Sequence, residues 1–306
     1  MTEPPKPVNE PGLNIEPDLT PLETFQARVP FSVFVLAAFG QLAILLLAFR
    51  LTAPSVFRVE LTHPWLILLW TFLFGLPLSL FEYLYHRYLL HSAVLPFLGS
   101  MQHAHITHHG LTNVKAAVRA AEPDKLATVD SEFPIEERHQ EESMMFPLYS
   151  GLIFVALFEA LLAIPLKLLI PGQPLIISMI FSVMLGYAGY EVWHAFLHLP
   201  YDRFWEPRMK NPIVRRIYGF HLMHHWRPTS NLAVVGFWGL ALWDHVFGTH
   251  HRPDRMPLDK AEVSYVDSSF RKPRWPISMF DHWQGGWARF ARRTERFFLR
   301  PGRHPK

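Results

Sequence analysis

The chain has 306 residues, half of them apolar and 14% aromatic, and only 18% charged; a soluble domain usually carries about 25% charged residues, so the balance points to a membrane. There is no cysteine, which excludes disulfides, thiolate metal sites and cysteine nucleophiles and leaves 18 histidines, with carboxylates, as the available ligands for any metal. The net charge is +3, but 19 of the 29 Lys and Arg lie beyond His198, interleaved with Trp and Phe. An anionic membrane surface, and no nucleic acid, is the partner expected of that tail.

Residues 1–30 hold seven prolines and little hydrophobic pattern, and read as a disordered leader. Four apolar runs follow, at about 31–49, 64–85, 147–170 and 172–193. Each approaches or reaches the ~20 residues that a helix needs to cross the hydrocarbon core. Glu159 and Lys167 interrupt the third, and Pro171-Gly172-Gln173-Pro174 makes a tight turn before the fourth. Basic residues concentrate in 92–146 and after His198, whereas that turn has none. The positive-inside rule therefore predicts cytoplasmic termini and a cytoplasmic 92–146 loop.

Two later stretches read as interfacial. Asn231–Phe247 is apolar but short, and is interrupted by Asp244 and His245. In 283–298, aromatic residues recur at roughly helical spacing with Arg289, Arg292, Arg293 and Arg296 between them, which suits a helix lying among headgroups or one packed on the domain. The expected organisation is a leader (1–30), a membrane domain (31–252) and a basic aromatic interfacial tail (253–306). The expected fold is all-α, a four-helix transmembrane bundle with a cytoplasmic histidine-rich cap.

Ten histidines fall into four groups. His86 and His91 close the second span, and His105, His108 and His109 follow as HxxHH. His194 and His198 close the fourth span, and His221, His224 and His225 follow as a second HxxHH. Helix positions i, i+3 and i+4 share a face, so each HxxHH is expected to aim three imidazoles at one point. His86 and His91 are five apart and would diverge on a regular helix, so the helix must end or distort between them. Ten imidazoles exceed what one four-coordinate zinc needs and suit two metal ions with about five nitrogens each. Imidazole suits Fe, Zn, Cu or Ni alike; a site at the ends of membrane helices favours oxygen chemistry on a hydrocarbon chain over hydrolysis by a zinc pair. Glu82, four residues before His86, and Glu191, three before His194, are placed to accept the second ring N–H of those histidines. Asp244 is a third candidate support. The remaining eight histidines, including His103 and His245, form no such pattern.

The segments HRYLLH (86–91), HITHH (105–109), YEVWHAFLH (190–198), HLMHH (221–225) and LWDHVFGT (242–249) resemble the fatty acid hydroxylase superfamily, which includes sterol desaturases and fatty acid 2-hydroxylases. The likeness covers about 65–252 and is nearest to the 2-hydroxylase branch. It implies a dimetal centre, two iron ions with zinc as a possible substitute, held by His86, His91, His105, His108, His109, His194, His198, His221, His224 and His225. It further implies dioxygen and a lipid as substrates, and hydroxylation or desaturation as the reaction. Leu199 stands where relatives in the 2-hydroxylase branch often have a further histidine, and no His-Pro-Gly-Gly heme motif is present. Electrons are therefore expected from a separate ferredoxin, cytochrome or reductase. A metal-transporting or non-catalytic metal-binding membrane protein is the alternative from another class.

Overall fold

The computed structural model describes residues 31–91, 102, 105–106, 108–110, 112–116, 127–131, 146–251 and 272–298. The Pro-rich leader, the acidic stretch at 132–142 and His103 lie outside them. Among the described residues the fold is all-α apart from one two-stranded hairpin. Four helical stretches are long and apolar enough to cross a membrane: Ser32–Thr52, Pro64–Leu90, Ser150–Leu169 and Leu175–Leu197.

The first stretch belongs to α1 (Phe31–Thr52), followed by the short α2 (Pro54–Leu61). The second is α3 (Pro64–Tyr85), which opens on a proline, where the missing N–H costs nothing. The third joins α4 (Ser150–Phe158) to α5 (Ile164–Leu169) through a π-helical turn at Glu159–Ala163. The fourth, α6 (Leu175–Leu197), is the centre of the bundle: 56% of its apolar window is buried, against 11–22% for the others. Leu175, Ile177, Met179, Ile180, Val183, Met184 and Tyr187 of α6 pack with Phe34, Ile67, Phe74 and Val155 from the other three. The start of α6 is capped from a distance. Glu60 of α2 accepts from the Ile177 and Ile176 amides at 2.8 and 3.3 Å and pairs with Lys167 at 2.8 Å, satisfying donors that a helix N-terminus leaves open.

Because α3 and α6 run side by side, with Thr71 bonded to the Ser178 carbonyl at 3.4 Å, their C-terminal ends reach the same level. There the second, smaller core forms. It contains Leu197, Trp205, Met209, Tyr218, Leu222, Met223, Trp226 and Val114. Val114 belongs to an antiparallel hairpin, β1 (Thr112–Ala116) with β2 (Ala127–Ser131), in a region where the sequence carries no assignable pattern. Helix α7 (Pro212–Trp226) begins with Asn211 accepting from the Ile213 and Val214 amides at 2.9 and 3.4 Å, a capped start with proline at its first position.

The stretch 231–247 departs from the interfacial expectation. Residues 231–241 form a loop and Leu242–Phe247 a short helix, α8. Both lie along α3. The Trp238 indole donates to the Phe72 carbonyl at 2.9 Å, Phe237 packs edge-on against Phe72, and the Trp243 indole donates to Ser79 at 2.9 Å. Phe72 to Ser79 is the middle of the second span, so the loop reaches well inside the bundle's apolar belt. Non-helical backbone survives there only if its own polar groups are satisfied. Its donors are: amides 232–240 all find acceptors. Asp244 takes Leu232 and Ala233, Glu82 takes Val234, Val235 and Gly236, and the remaining four bond within the loop.

The last helix, α9 (Ile277–Phe298), spans the aromatic and arginine-rich stretch at 283–298. Its start is docked, with Ile277 fully buried and Asp281 paired to Arg87 at 2.6 Å, whereas Trp283 and Trp287 stay exposed. The Tyr88 hydroxyl also donates to Asp281 at 2.9 Å.

Candidate metal centre

The five-residue spacing of the first pair is resolved by a π-helical turn. Residues His86–Leu90 wind wider than an α-helix, and the His91 amide bonds back to the His86 carbonyl at 3.3 Å. One such turn stacks the two rings, with centroids 5.1 Å apart and planes at 17°. His194 and His198 stand one α-turn apart at the end of α6, with centroids 4.9 Å apart.

The ten histidines close into two groups of five, each able to hold a metal ion. The first is His86, His91, His105, His109 and His224; the second is His108, His194, His198, His221 and His225. Within each group one ring nitrogen per residue lies within 4.8 Å of all the others. The groups adjoin, with His109 stacked on His225 at 4.3 Å.

This partition corrects the expectation that each HxxHH aims at one point. The i and i+4 members go together and the i+3 member goes to the other group. His105 and His109 join the first group and His108 the second; His221 and His225 join the second and His224 the first. On an α-helix i and i+4 are about 40° apart around the axis while i+3 and i+4 are about 100° apart. A helix end lying between two centres therefore serves both.

The nitrogens fit cations better than they fit one another. Nε2 of His198, His221 and His225 form a triangle with edges of 2.7, 3.2 and 3.0 Å. In the first group, His105 Nε2 lies 3.1 Å from both His86 Nε2 and His91 Nε2, and His91 Nε2 lies 3.3 Å from His224 Nε2. An imidazole nitrogen offers a single in-plane direction, as N–H or as lone pair, so it makes one good hydrogen bond. A closed triangle of such nitrogens cannot satisfy itself. A positive ion near its centre, about 2 Å from each corner, would.

Electrostatics agree. Burial first, and then the neighbouring imidazoles, hold His91, His105, His108, His109, His198, His221 and His225 well below the usual imidazole range. His224 is held down likewise, against a backbone hydrogen bond that pulls upwards. Neutral rings with free lone pairs are the form that binds first-row metals.

Two tautomers are fixed by the backbone. His86 Nδ1 lies 2.6 Å from the Leu232 carbonyl and His224 Nδ1 lies 2.9 Å from the Ser230 carbonyl. A carbonyl only accepts, so in both rings Nδ1 carries the proton and Nε2 turns its lone pair into the first group. The carboxylates expected in this role do something else. Glu82 does not touch His86, because both of its oxygens are taken by the Val234, Val235 and Gly236 amides at 2.6–3.0 Å. Glu191 accepts from the Phe146 amide at 2.8 Å, and its other oxygen has no hydrogen-bond partner among the described residues. Asp244 accepts from the Leu232 and Ala233 amides and the Thr249 hydroxyl at 2.7–3.0 Å. It thus supports His86 through the Leu232 peptide rather than by contact. In an apolar setting, amides that water cannot reach outcompete an imidazole that already has a carbonyl.

Ser230 and Leu232 had no signature in the sequence, since any residue supplies a carbonyl. Asn231 between them did carry a turn signal. It sits at φ 52°, bonds the Phe220 and His251 carbonyls at 3.1 and 3.0 Å, and accepts from the His251 amide at 2.7 Å. His245 stacks on His250 and joins neither group.

A cavity of about 100 Å³ reaches the first group from the membrane side. It lies between α3, α4 and α6, and its walls include Phe81, Tyr85, Phe154, Phe158, Val183 and Tyr187, with His86 at one end. Comparison with family models, curated proteins and solved structures finds no match for this chain. What stands on its own geometry is a helical membrane protein with a candidate dimetal centre.

Proposed function

We propose that the chain is a membrane-bound dimetal oxygenase, with iron as its metal, that hydroxylates a C–H bond of a lipid. The observation that carries this reading is the junction of an apolar cavity between spanning helices with His86 of the first histidine group. Such a cavity selects a hydrocarbon chain and excludes water. The excess of basic residues in 92–146 and after His198 supports a cytoplasmic histidine end in this reading, with a separate ferredoxin, cytochrome or reductase as the electron donor.

The five-histidine groups would hold the ions through neutral imidazoles. Bound iron would supply the activation of dioxygen that an unactivated C–H bond requires. The balance is lipid C–H, dioxygen, two electrons and two protons giving the alcohol and one water. The chain's own part is positional. The Leu232 and Ser230 carbonyls aim His86 and His224, and the aromatic walls keep the chain dry and in line with His86. All ten histidines sit at one end of the spanning helices, whereas a transport path would string ligands through the bilayer.

The test is lipid profiling of cells expressing the wild type or His224→Ala. Lipids heavier by one oxygen in the wild type alone are the expected result; loss of two hydrogens instead would mark desaturation. Identical profiles would overturn the oxygenase reading.

A further inference from the structure

The cavity has a second end. Gly75 lies eleven residues before His86 on α3, which is about 16 Å of helix, and both line the cavity. At that level the lumen is bounded by Gly75, Ser182 and Trp238. Gly75 is where the indole sits: a Cβ at this position would overlap the Trp238 ring. Beyond Trp238 the loop faces outwards, with Gly239 and Leu240 exposed. Trp238 therefore stands as the wall between the lumen and the outside.

That wall is fixed. Trp238 sits at φ 50°, a conformation few non-glycine residues adopt, and its amide bonds to the Gly236 carbonyl at 3.0 Å. Its indole N–H is held by the Phe72 carbonyl, its neighbour Phe237 packs on the Phe72 ring, and Glu82 clamps the three amides at 234–236. Backbone strain kept in place by so many contacts marks a position whose geometry is used. From these facts we infer that Trp238 is the end stop of the cavity, a positioning residue that sets how long a straight hydrocarbon chain fits and which carbon lies beside His86. This rests on the cavity being the lipid-chain site.

The experiment measures binding, so it does not depend on turnover. Full-length protein in detergent is titrated with a homologous series of straight-chain saturated fatty acids, each displacing a fluorescent fatty acid. Trp238→Ala, Trp238→Phe and Gly186→Phe are compared with the wild type. Gly186 lines the cavity and has nothing within 4 Å of its Cβ position, so a phenylalanine there is chosen to occupy the lumen. Wild-type affinity should rise with chain length and then break. Trp238→Ala should move the break to longer chains and bind the first chain beyond the wild-type limit at least tenfold tighter, with a smaller shift for Trp238→Phe. A break that stays put in both Trp238 variants, while Gly186→Phe abolishes binding, overturns the end stop alone. Wild-type protein that binds no chain, or binding indifferent to Gly186→Phe, overturns the cavity reading and the end stop with it.

Discussion

The two histidine groups come from one repeated phrase yet are held in place differently. In the first, His86 and His224 are aimed by the Leu232 and Ser230 carbonyls; Asp244 accepts from the Leu232 and Ala233 amides, and the Asn231 amide bonds to the Thr249 carbonyl. In the second, His198 at the end of α6 and His221 and His225 of α7 form a triangle of nitrogens, against which the His108 ring packs, and His225 Nδ1 has no hydrogen-bond partner among the described residues. A duplicated motif has thus acquired one half whose rings are aimed by carbonyls of the 230–232 loop and one gathered at the ends of α6 and α7 with His108. The difference locates where each group should fail.

The largest effect expected is from neighbouring ligands that belong to different groups. His224→Ala and His225→Ala should each lower the bound metal by about one ion. Combining His224→Ala with His109→Ala, from the same group, should remove little more, whereas His224→Ala with His225→Ala should remove both ions. Sites that share a partner are non-additive and independent ones add. Metal analysis of the purified variants decides it. If His224 and His225 behaved as members of one group, the partition would be wrong.

Acid should act on both groups together. His91, His105, His108, His109, His198, His221, His224 and His225 are held well below the usual imidazole range, so below pH ~6.5 the unfolded chain takes up protons that the folded chain refuses. Stability of the metal-free protein should then be flat above that pH and fall as pH drops through it, with a slope of several protons. Melting temperature against pH measures this. A slope of one proton or none would mean that the rings are not buried as neutral groups.

Smaller effects separate the carboxylates. Asp244→Ala orphans the Leu232 and Ala233 amides, at about 1–3 kcal/mol each, and should weaken metal binding in the first group only. Glu191→Gln keeps a partner for the Phe146 amide and should leave both ions bound. Denaturation midpoints and metal titration of the two variants report the contrast. Equal loss of metal from both would break the distinction between the halves.

These contrasts also mark what the sequence could and could not reveal. The four spans, the ten histidines and the need for a distortion between His86 and His91 follow from run length and spacing, which are local properties. The exchange of His108 and His224 between groups depends on where two helix ends lie relative to two centres, and spacing within one motif is silent on that. Glu82 and Glu191 looked like partners of His86 and His194 because they share helix faces with them. The competitor of Glu82 was a loop more than 150 residues away, whose amides have no water to turn to. Asn231–Phe247 reads as apolar but short and interfacial, and Glu82 with Asp244 satisfies the amides that let it enter the bundle.

The central claim is that two metal ions lie in shells of imidazole. Metal analysis of wild-type protein, joined to X-ray absorption at the edge of the metal found, tests it most directly. About two equivalents of a first-row metal per chain are expected, with the outer-shell scattering of several imidazole rings. One equivalent or less after loading with iron, or a spectrum without imidazole scattering, would contradict it.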